Sequence, residues 1–421
     1  MKILLINHLY PEGGGAEAAV SGLVAFLKVQ RHEVAVLTLG NDSMKSGMSC
    51  REEGGVQIYS YKTLSRRFSE KLVVCQFSRG NVGKRVFFRA GAFFCDWLSS
   101  NGSLKAMRLI RNIKPDVVHT HNVRGMGMLL PLFIRFGKGK ARWVHTLHDI
   151  QLVYPSGLAI YPRLRKDSTN ASKIFNRKNL RPFELCRKIY ELLQKLIWGS
   201  PDVAVSPSDF LKKFYADRGF FRKSRHEVIP NVIMRKVDGS GDRGSERDSV
   251  LFIGALEESK GIQILLGAAQ RQEQEFMKRS FTIDVVGDGS LRRQLADKYA
   301  RFPWIRFHGA LRAEALAHFY VRALVTVIPS LTLENAPMAI LESLHFGALV
   351  VASRIGGILE YVKEGETGWL FTPGSVDELA GLLQKIINEG VSEEISRNCQ
   401  RVSVDMGVRA YAGHAALYDS S

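Results

Sequence analysis

With 421 residues, the chain is too long for one ordinary core and predicts two domains of about 200 residues each. A 45% hydrophobic and 24% charged composition is that of a water-facing globular protein, and no run of 18 apolar residues is present to make a membrane-spanning helix. The charge is lopsided: residues 1–231 hold 38 Lys and Arg against 17 Asp and Glu, while the remaining residues hold 21 against 24.

A basic excess confined to the first half, densest between Lys84 and Lys195, calls for an anionic partner there: nucleic acid, a phosphate-bearing substrate or an anionic membrane surface. The opening Met1–Ile6 is too short for a signal peptide and soon meets Pro11 and three glycines. The cysteines at 50, 75, 95, 186 and 399 are scattered, odd in number and lack a CxxC pair. They fit reduced thiols in a cytoplasm and argue against a zinc site.

In chain order, the first half predicts strands over Ile3–Asn7, Glu33–Thr38, Val56–Ser60, Asp116–Thr120, Arg142–Thr146, Asp202–Ser206 and Glu227–Ile229. After the first comes Pro11–Glu17 with Gly13, Gly14 and Gly15, then a helix over Ala18–Val29. Glycines entering a helix let a ligand approach the backbone and meet its N–H groups. The loop is not G-x-G-x-x-G, and no acidic residue ends the second strand, which disfavours a cofactor-using dehydrogenase. His119 and His145 fall inside strand patterns and read as core histidines. His121, Asn122, His148 and Asp149 fall just beyond the strands, where they face a cleft and can hold a sugar hydroxyl or phosphate oxygen. No metal-ligand spacing links these histidines. Lys84–Trp97 mixes cations with aromatics and suits a membrane interface, or else forms an ordinary amphipathic helix.

Arg235–Arg247 is polar, glycine-rich and without periodicity, and the domain boundary is placed there. The expected division is 1–231, a linker 232–248, 249–400 and a terminal helix over 401–421. The second half predicts strands over Ser249–Gly254, Thr282–Gly287, Ile305–Gly309, Leu324–Pro329, Leu349–Ser353 and Trp369–Phe371. Strands alternating with helix-length segments make an α/β protein of two doubly wound parallel sheets, with ligands held at the C-terminal ends of the strands. At those ends stand Lys260, a point charge for a diphosphate, and Gly287 in the turn Gly287–Ser290.

The most pointed constellation is Ile328–Glu342. Glu334 sits in a loop, Pro337 suits a first helical turn, and Glu342 lies inside the helix. The peptide N–H groups of Asn335, Ala336 and Met338, on either side of Pro337, mark a helix start able to bind phosphate, with a carboxylate on either side for sugar hydroxyls. That combination describes a nucleotide sugar.

Taken together, Gly14–Glu17, Pro115–His121, Thr146–Asp149, Val205–Ser208, Ile229–Asn231, Phe252–Gly254, Lys260–Gly261, Val286–Gly289 and Pro329–Gly347 resemble, in this order and over nearly the whole chain, family 4 of the retaining glycosyltransferases. The resemblance implies two facing Rossmann-like domains, the GT-B architecture. It implies transfer of a sugar with retention from a nucleotide-diphosphate donor to a glycan or lipid-linked acceptor, without metal or cofactor, as in bacterial surface polysaccharide or glycolipid synthesis. It assigns Glu342 to the donor ribose, Glu334 to the transferred sugar and Lys260 with the 335–338 backbone to the diphosphate. His148 then sits near the transferred sugar, Glu17 with Gly14 and Gly15 shapes the acceptor side, and the protein is cytoplasmic, with the basic half meeting the inner membrane face. Nucleic acid is not implied. Where relatives often carry Arg, this chain has Ala255, which puts the strength of diphosphate binding in question. A nucleotide-sugar epimerase and a catalytically weak homologue serving as a binding or scaffold subunit are the alternatives.

Overall fold

The computed structural model describes the chain apart from residues 12, 41–46, 64–99, 155–179, 234–246, 279 and 420–421. The segment Lys84–Trp97 and nearly all of the linker expected at Arg235–Arg247 lie outside the described residues.

The first half contains β1 (Lys2–Ile6), α1 (Gly15–Val29), β2 (Glu33–Leu39), β3 (Met48–Glu53), β4 (Val56–Tyr61), α2 (Ser100–Ile113), β5 (Val117–Thr120) and α3 (Leu130–Gly137). It continues with β6 (Arg142–Thr146), α4 (Leu180–Trp198), β7 (Val203–Ser206), α5 (Asp209–Ala216) and β8 (Arg225–Val228). These strands form one sheet in the order β3-β4-β2-β1-β5-β6-β7-β8. Ile3, Leu4, Leu5 and Ile6 of β1 are all fully buried, because helices cover both faces of the sheet and every side chain of a central strand meets apolar neighbours.

All neighbours pair in parallel except β3, which runs antiparallel to β4. Sequence reading missed β3. It is an edge strand that is exposed along most of its length, so it carries no apolar alternation, and it joins β4 through a two-residue turn in which Gly54 and Gly55 both have positive φ.

The second half contains β9 (Ser249–Ile253), α6 (Ile262–Arg271), α7 (Glu273–Lys278), β10 (Thr282–Val286), α8 (Arg292–Tyr299), β11 (Ile305–Gly309) and α9 (Ala313–Arg322). There follow β12 (Ala323–Ile328), α10 (Met338–His345), β13 (Leu349–Ser353), β14 (Gly368–Phe371), α11 (Val376–Glu389) and α12 (Glu393–Asp419). Its sheet runs β11-β10-β9-β12-β13-β14, parallel throughout. Helix α12 begins at Glu393 rather than near 401. Cys399 and Val402 pack beside β13 in the second half, whereas Ala410, Leu417 and Tyr418 join the core under β1.

The C-terminal ends of the two sheets face each other. Met338 Cγ at the start of α10 lies 3.5 Å from where a Cβ on Gly15, at the start of α1, would stand. Tyr361 donates its hydroxyl proton to the Pro207 carbonyl at 2.7 Å, and the Glu360 carboxylate accepts the Asp209 and Phe210 N–H groups at 2.8 and 2.6 Å.

Candidate functional site

Three loops of the second half converge on Glu334. The 257–261 turn docks on the end of β12: Leu331 N–H donates to the Ser259 carbonyl at 2.8 Å, and Gly261, at φ +73°, passes so close that a Cβ there would stand 1.8 Å from the Pro329 carbonyl oxygen. That docking delivers Lys260, whose Nζ donates to Glu334 Oε1 at 2.6 Å; Ser330 Oγ donates to the same oxygen at 2.8 Å. From the other side, Gly357 N–H donates to the Glu334 carbonyl at 2.8 Å, and a Cβ on Gly357 would meet the Asn335 carbonyl oxygen at 2.0 Å. Glu334 is thus fixed by backbone packing as well as by its ion pair.

Helix α10 follows with Pro337 as the capping residue in an extended conformation, so the first helical turn begins at Met338, one residue later than expected. No side chain caps this end; Ile340 N–H turns back to the Pro337 carbonyl at 3.0 Å, and the N–H groups ahead of it at the helix start have the geometry to meet an anion. Glu342 is buried inside α10, and its Oε2 accepts the Tyr320 hydroxyl from α9 at 2.6 Å. Gly287 was expected to bring its backbone to the ligand. A Cβ there would stand 1.9 Å from the carbonyl oxygen of Gly254, just beyond β9, so only glycine fits at this position. Ala255 is exposed at this rim.

Across the cleft, the His148 carbonyl accepts from Asn335 Nδ2 at 3.2 Å, while Asn335 Oδ1 accepts from Ser208 Oγ. One amide side chain therefore ties the residue after Glu334 to two strand ends of the first half. The His148 ring is half-buried, its Nε2 3.0 Å from His121 Nδ1. His121 itself is buried rather than facing the cleft, because His119 stacks beneath it at 4.2 Å and α12 closes the layer with His414 and Tyr418. His119 and His145 are core histidines. His119 lies 2.7 Å from Thr146 Oγ1 and 2.5 Å from the Tyr418 hydroxyl, and His145 Nδ1 donates to the Thr120 carbonyl at 3.1 Å.

Glu17 likewise turns inward. Its Oε2 accepts the Gly14 N–H at 2.7 Å and caps α1, its Oε1 lies 3.5 Å from His8 Nδ1, and the residue is 5% exposed. Asn122 and Asp149, expected on the same side, form a half-buried patch with Gln151. Asn122 Oδ1 accepts from Gln151 Nε2 at 3.1 Å, and Asp149 Oδ1 accepts the Gln151 N–H at 2.8 Å.

Burial sets the protonation states. It pushes Asp149 up to about 6 and His148 down to about 4, and it holds His121 well below the ordinary imidazole range. Near neutrality the His148 ring is uncharged, able to exchange neutral hydrogen bonds but not to act as a cation. Among the described residues no group of three or more His, Cys, Asp or Glu is placed to hold a metal ion.

The structure thus brings Lys260, Glu334, Asn335, Met338, Gly15 and His148 to one cleft. Sequence reading missed Ser330, Tyr320, Ser208 and the turn Gly356–Glu360. That turn, a glycine pair following a strand, carries the same signal that singled out Gly14 and Gly15.

Comparison with known proteins points the same way. Residues 14–232 match the glycosyl transferase 4-like domain and residues 236–402 match the glycosyl transferases of group 1. An uncharacterized protein in the cps region of Klebsiella pneumoniae is 23% identical over 86% of this chain and 87% of its own length. The lipopolysaccharide 1,2-N-acetylglucosaminetransferase of Salmonella typhimurium is 22% identical over 61% of this chain and 68% of its own. Among solved structures, Anabaena HepE in complex with UDP and glucose superposes with a TM-score of 0.65 at 18% identity, covering all of both chains. That likeness shows the two-domain GT-B fold.

Proposed function

The chain belongs to the glycosyl transferases, 4-like in its first half and group 1 in its second, and from that premise we propose that it moves a sugar from a nucleoside-diphosphate donor to a hydroxyl of a glycan or lipid-linked acceptor, with retention of configuration and without a metal. The observation that carries this reading is the start of α10: a helix N-terminus with no side-chain cap, between Glu334 with its Lys260 partner and the buried Glu342, facing Gly15 across the cleft. Breaking the glycosidic bond builds negative charge on the leaving diphosphate. The α10 N–H dipoles and the Lys260 ammonium stabilise that charge where it develops, so the protein itself supplies the positive end that a metal supplies elsewhere.

Glu334 positions the transferred sugar and Glu342, oriented by Tyr320, holds the donor ribose. His148 contacts the transferred sugar beside Asn335. Ala255 leaves Lys260 without a second cation from its own loop, so the helix start carries more of the diphosphate; one charge-assisted contact fewer costs about 1.5–3 kcal/mol. HepE was solved with UDP and glucose, and relatives include a lipopolysaccharide transferase. These support a uridine-type donor and a cell-surface glycan product.

A thermal-shift screen of nucleotide sugars names the donor: the true one raises the melting temperature by an amount that grows with the logarithm of its concentration over its Kd. With that donor, Glu342→Ala raises KM with a smaller change in kcat, and His148→Ala lowers kcat with KM nearly kept. Proton NMR of the product gives a retained anomeric configuration, and turnover survives EDTA. Equal and negligible effects of both substitutions sink the residue assignments, and an epimer formed from donor alone replaces the transferase reading.

A further inference from the structure

Beside His148, the C-terminal ends of β5, β6 and β7 meet α1 and α12 around a cavity of about 10 Å³. That is about the room one water molecule needs, and a water settles there only where polar groups hold it. Ala19, Leu23, Val205, Ile229 and Val232 give the wall an aliphatic character. Two histidines break the pattern. His121 and His414 are 3% and 5% exposed, and His121 Nε2 and His414 Nδ1 are buried without a hydrogen-bond partner among the described residues. Each group left so costs about 1–3 kcal/mol, and two of them on one cavity of this size share one remedy.

The other edge of the His121 ring makes this cavity matter to the cleft. His121 Nδ1 lies 3.0 Å from His148 Nε2, which leaves His148 Nδ1 for a ligand. Burial keeps both rings neutral near pH 7, so each carries one proton. At hydrogen-bond distance, one of the two facing nitrogens holds a proton and the other a lone pair. The four nitrogens are thereby linked. A proton on His121 Nε2 leaves Nδ1 to accept from His148 Nε2, and His148 Nδ1 then meets a ligand as an acceptor. A bare His121 Nε2 reverses each step and makes His148 Nδ1 a donor. His119, stacked on His121, stands outside this chain, because Tyr418 and Thr146 engage both of its nitrogens.

We propose that one water molecule bridges His121 Nε2 and His414 Nδ1, and that His121 and His414 are thereby positioning residues that fix the tautomer His148 presents to the cleft. Helix α12, which begins against the second half and ends against the first, then bears on the site through His414. The effect on sugar transfer rests on the function proposed above. The bridge and the tautomer do not, so they stand or fall separately from it.

The test is nitrogen-15 NMR of the histidine-labelled full chain at neutral pH, which reads each ring's tautomer directly. The wild type shows His148 in a single tautomer, and the ring protons of His121 and His414 show a nuclear Overhauser contact with one long-lived water. His414→Leu removes the far partner of the bridge, and the His148 signals move toward the average of the two tautomers. His414→Asn keeps a polar atom near the place of Nδ1 and retains the wild-type pattern. Leu and Asn are of similar size, so lost packing is common to both variants and only the polar atom differs. In a transfer assay, His414→Leu lowers kcat at least about threefold with KM nearly kept, and His414→Asn restores most of it. A wild-type His148 that already averages its tautomers overturns the proposal, as does the absence of the water contact. So does a tautomer that His414→Leu leaves unchanged, or that both variants disturb equally. The water contact needs no variant, so the bridge stays testable even if His414→Leu does not fold.

Discussion

On the C-terminal side of the cleft, Glu334 is positioned by backbone against backbone; on the N-terminal side, His148 is positioned by ring against ring. Gly261 against Pro329, Gly287 against Gly254 and Gly357 against Asn335 leave no room for even one carbon atom, so the loops around Glu334 have a single arrangement. The opposite wall rests on a layer of buried imidazoles, His119, His121, His145 and His414, whose geometry depends on which nitrogens carry protons. One wall is rigid because it is sterically determined. The other is adjustable because it is chemically determined, its hydrogen bonds set by which ring nitrogens carry protons.

The sharpest way to break this comparison is Gly261→Ala. The new methyl meets the Pro329 carbonyl at 1.8 Å and the residue must keep φ +73°, so the 257–261 turn lifts and takes Lys260 from Glu334. The expected cost is at least about 3 kcal/mol of stability, with donor affinity down more than about tenfold. Gly381→Ala in α11, where the Cβ meets nothing within 4 Å, gains about 0.5–1 kcal/mol and serves as the control. Calorimetry and a nucleotide titration read both. If Gly261→Ala behaves like Gly381→Ala, the rigid wall is not rigid.

Acid probes the other wall. Burial holds His145 at about 3 and His414 at about 4, against an ordinary 6.5. Each is neutral in the fold and binds fewer protons there than in the unfolded chain, so its stabilising share is complete above pH 6.5 and is lost as pH falls toward those values. At pH 5 each loses about 2 kcal/mol at most. Asp149, pushed up to about 6, runs the other way: its share is complete below the ordinary 3.8 and is lost as pH rises through 6. Several histidines outweigh one carboxyl, so unfolding free energy falls by about 3 kcal/mol between pH 7 and pH 5, read by denaturant titration. Stability that holds steady or rises on acidification removes the imidazole layer as the adjustable element.

The two walls also differ in how much of them a sequence discloses. The Glu334 loop was legible because its requirements are local: apolar runs fix the strands, and glycines mark where chains approach. At position 287, likewise, the Gly254 carbonyl leaves room for no residue but glycine. The histidine wall was legible only in part. His121 follows a strand and so reads as cleft-facing, but α12 returns from the far end of the chain to cover it with His414 and Tyr418. Likewise Tyr320 for Glu342 and Asn335 for His148 are partnerships between distant segments that no spacing within either segment encodes. Strand β3 escaped because an exposed edge has no pattern to read.

Where the walls meet, Glu360 gives the smallest and most specific effect. Its carboxylate reaches from the second half to accept the Asp209 and Phe210 N–H groups at the start of α5, which Ser208 Oγ also caps through Leu211 N–H at 3.2 Å. It is therefore a helix cap supplied from across the cleft, favourable to the helix dipole and to closure at once. Glu360→Ala leaves Ser208 to cap α5 alone, so the helix persists at a cost of about 1 kcal/mol, while the halves lose a contact that exists only when they are together. Small-angle scattering of the unliganded variant shows a larger radius of gyration, and added donor restores the wild-type value because ligand bridges both walls. Glu360→Gln keeps an acceptor oxygen and falls between the two. A variant as closed as wild type without donor places the closing contact elsewhere, on Tyr361 with Pro207 or on Asn335 with Ser208.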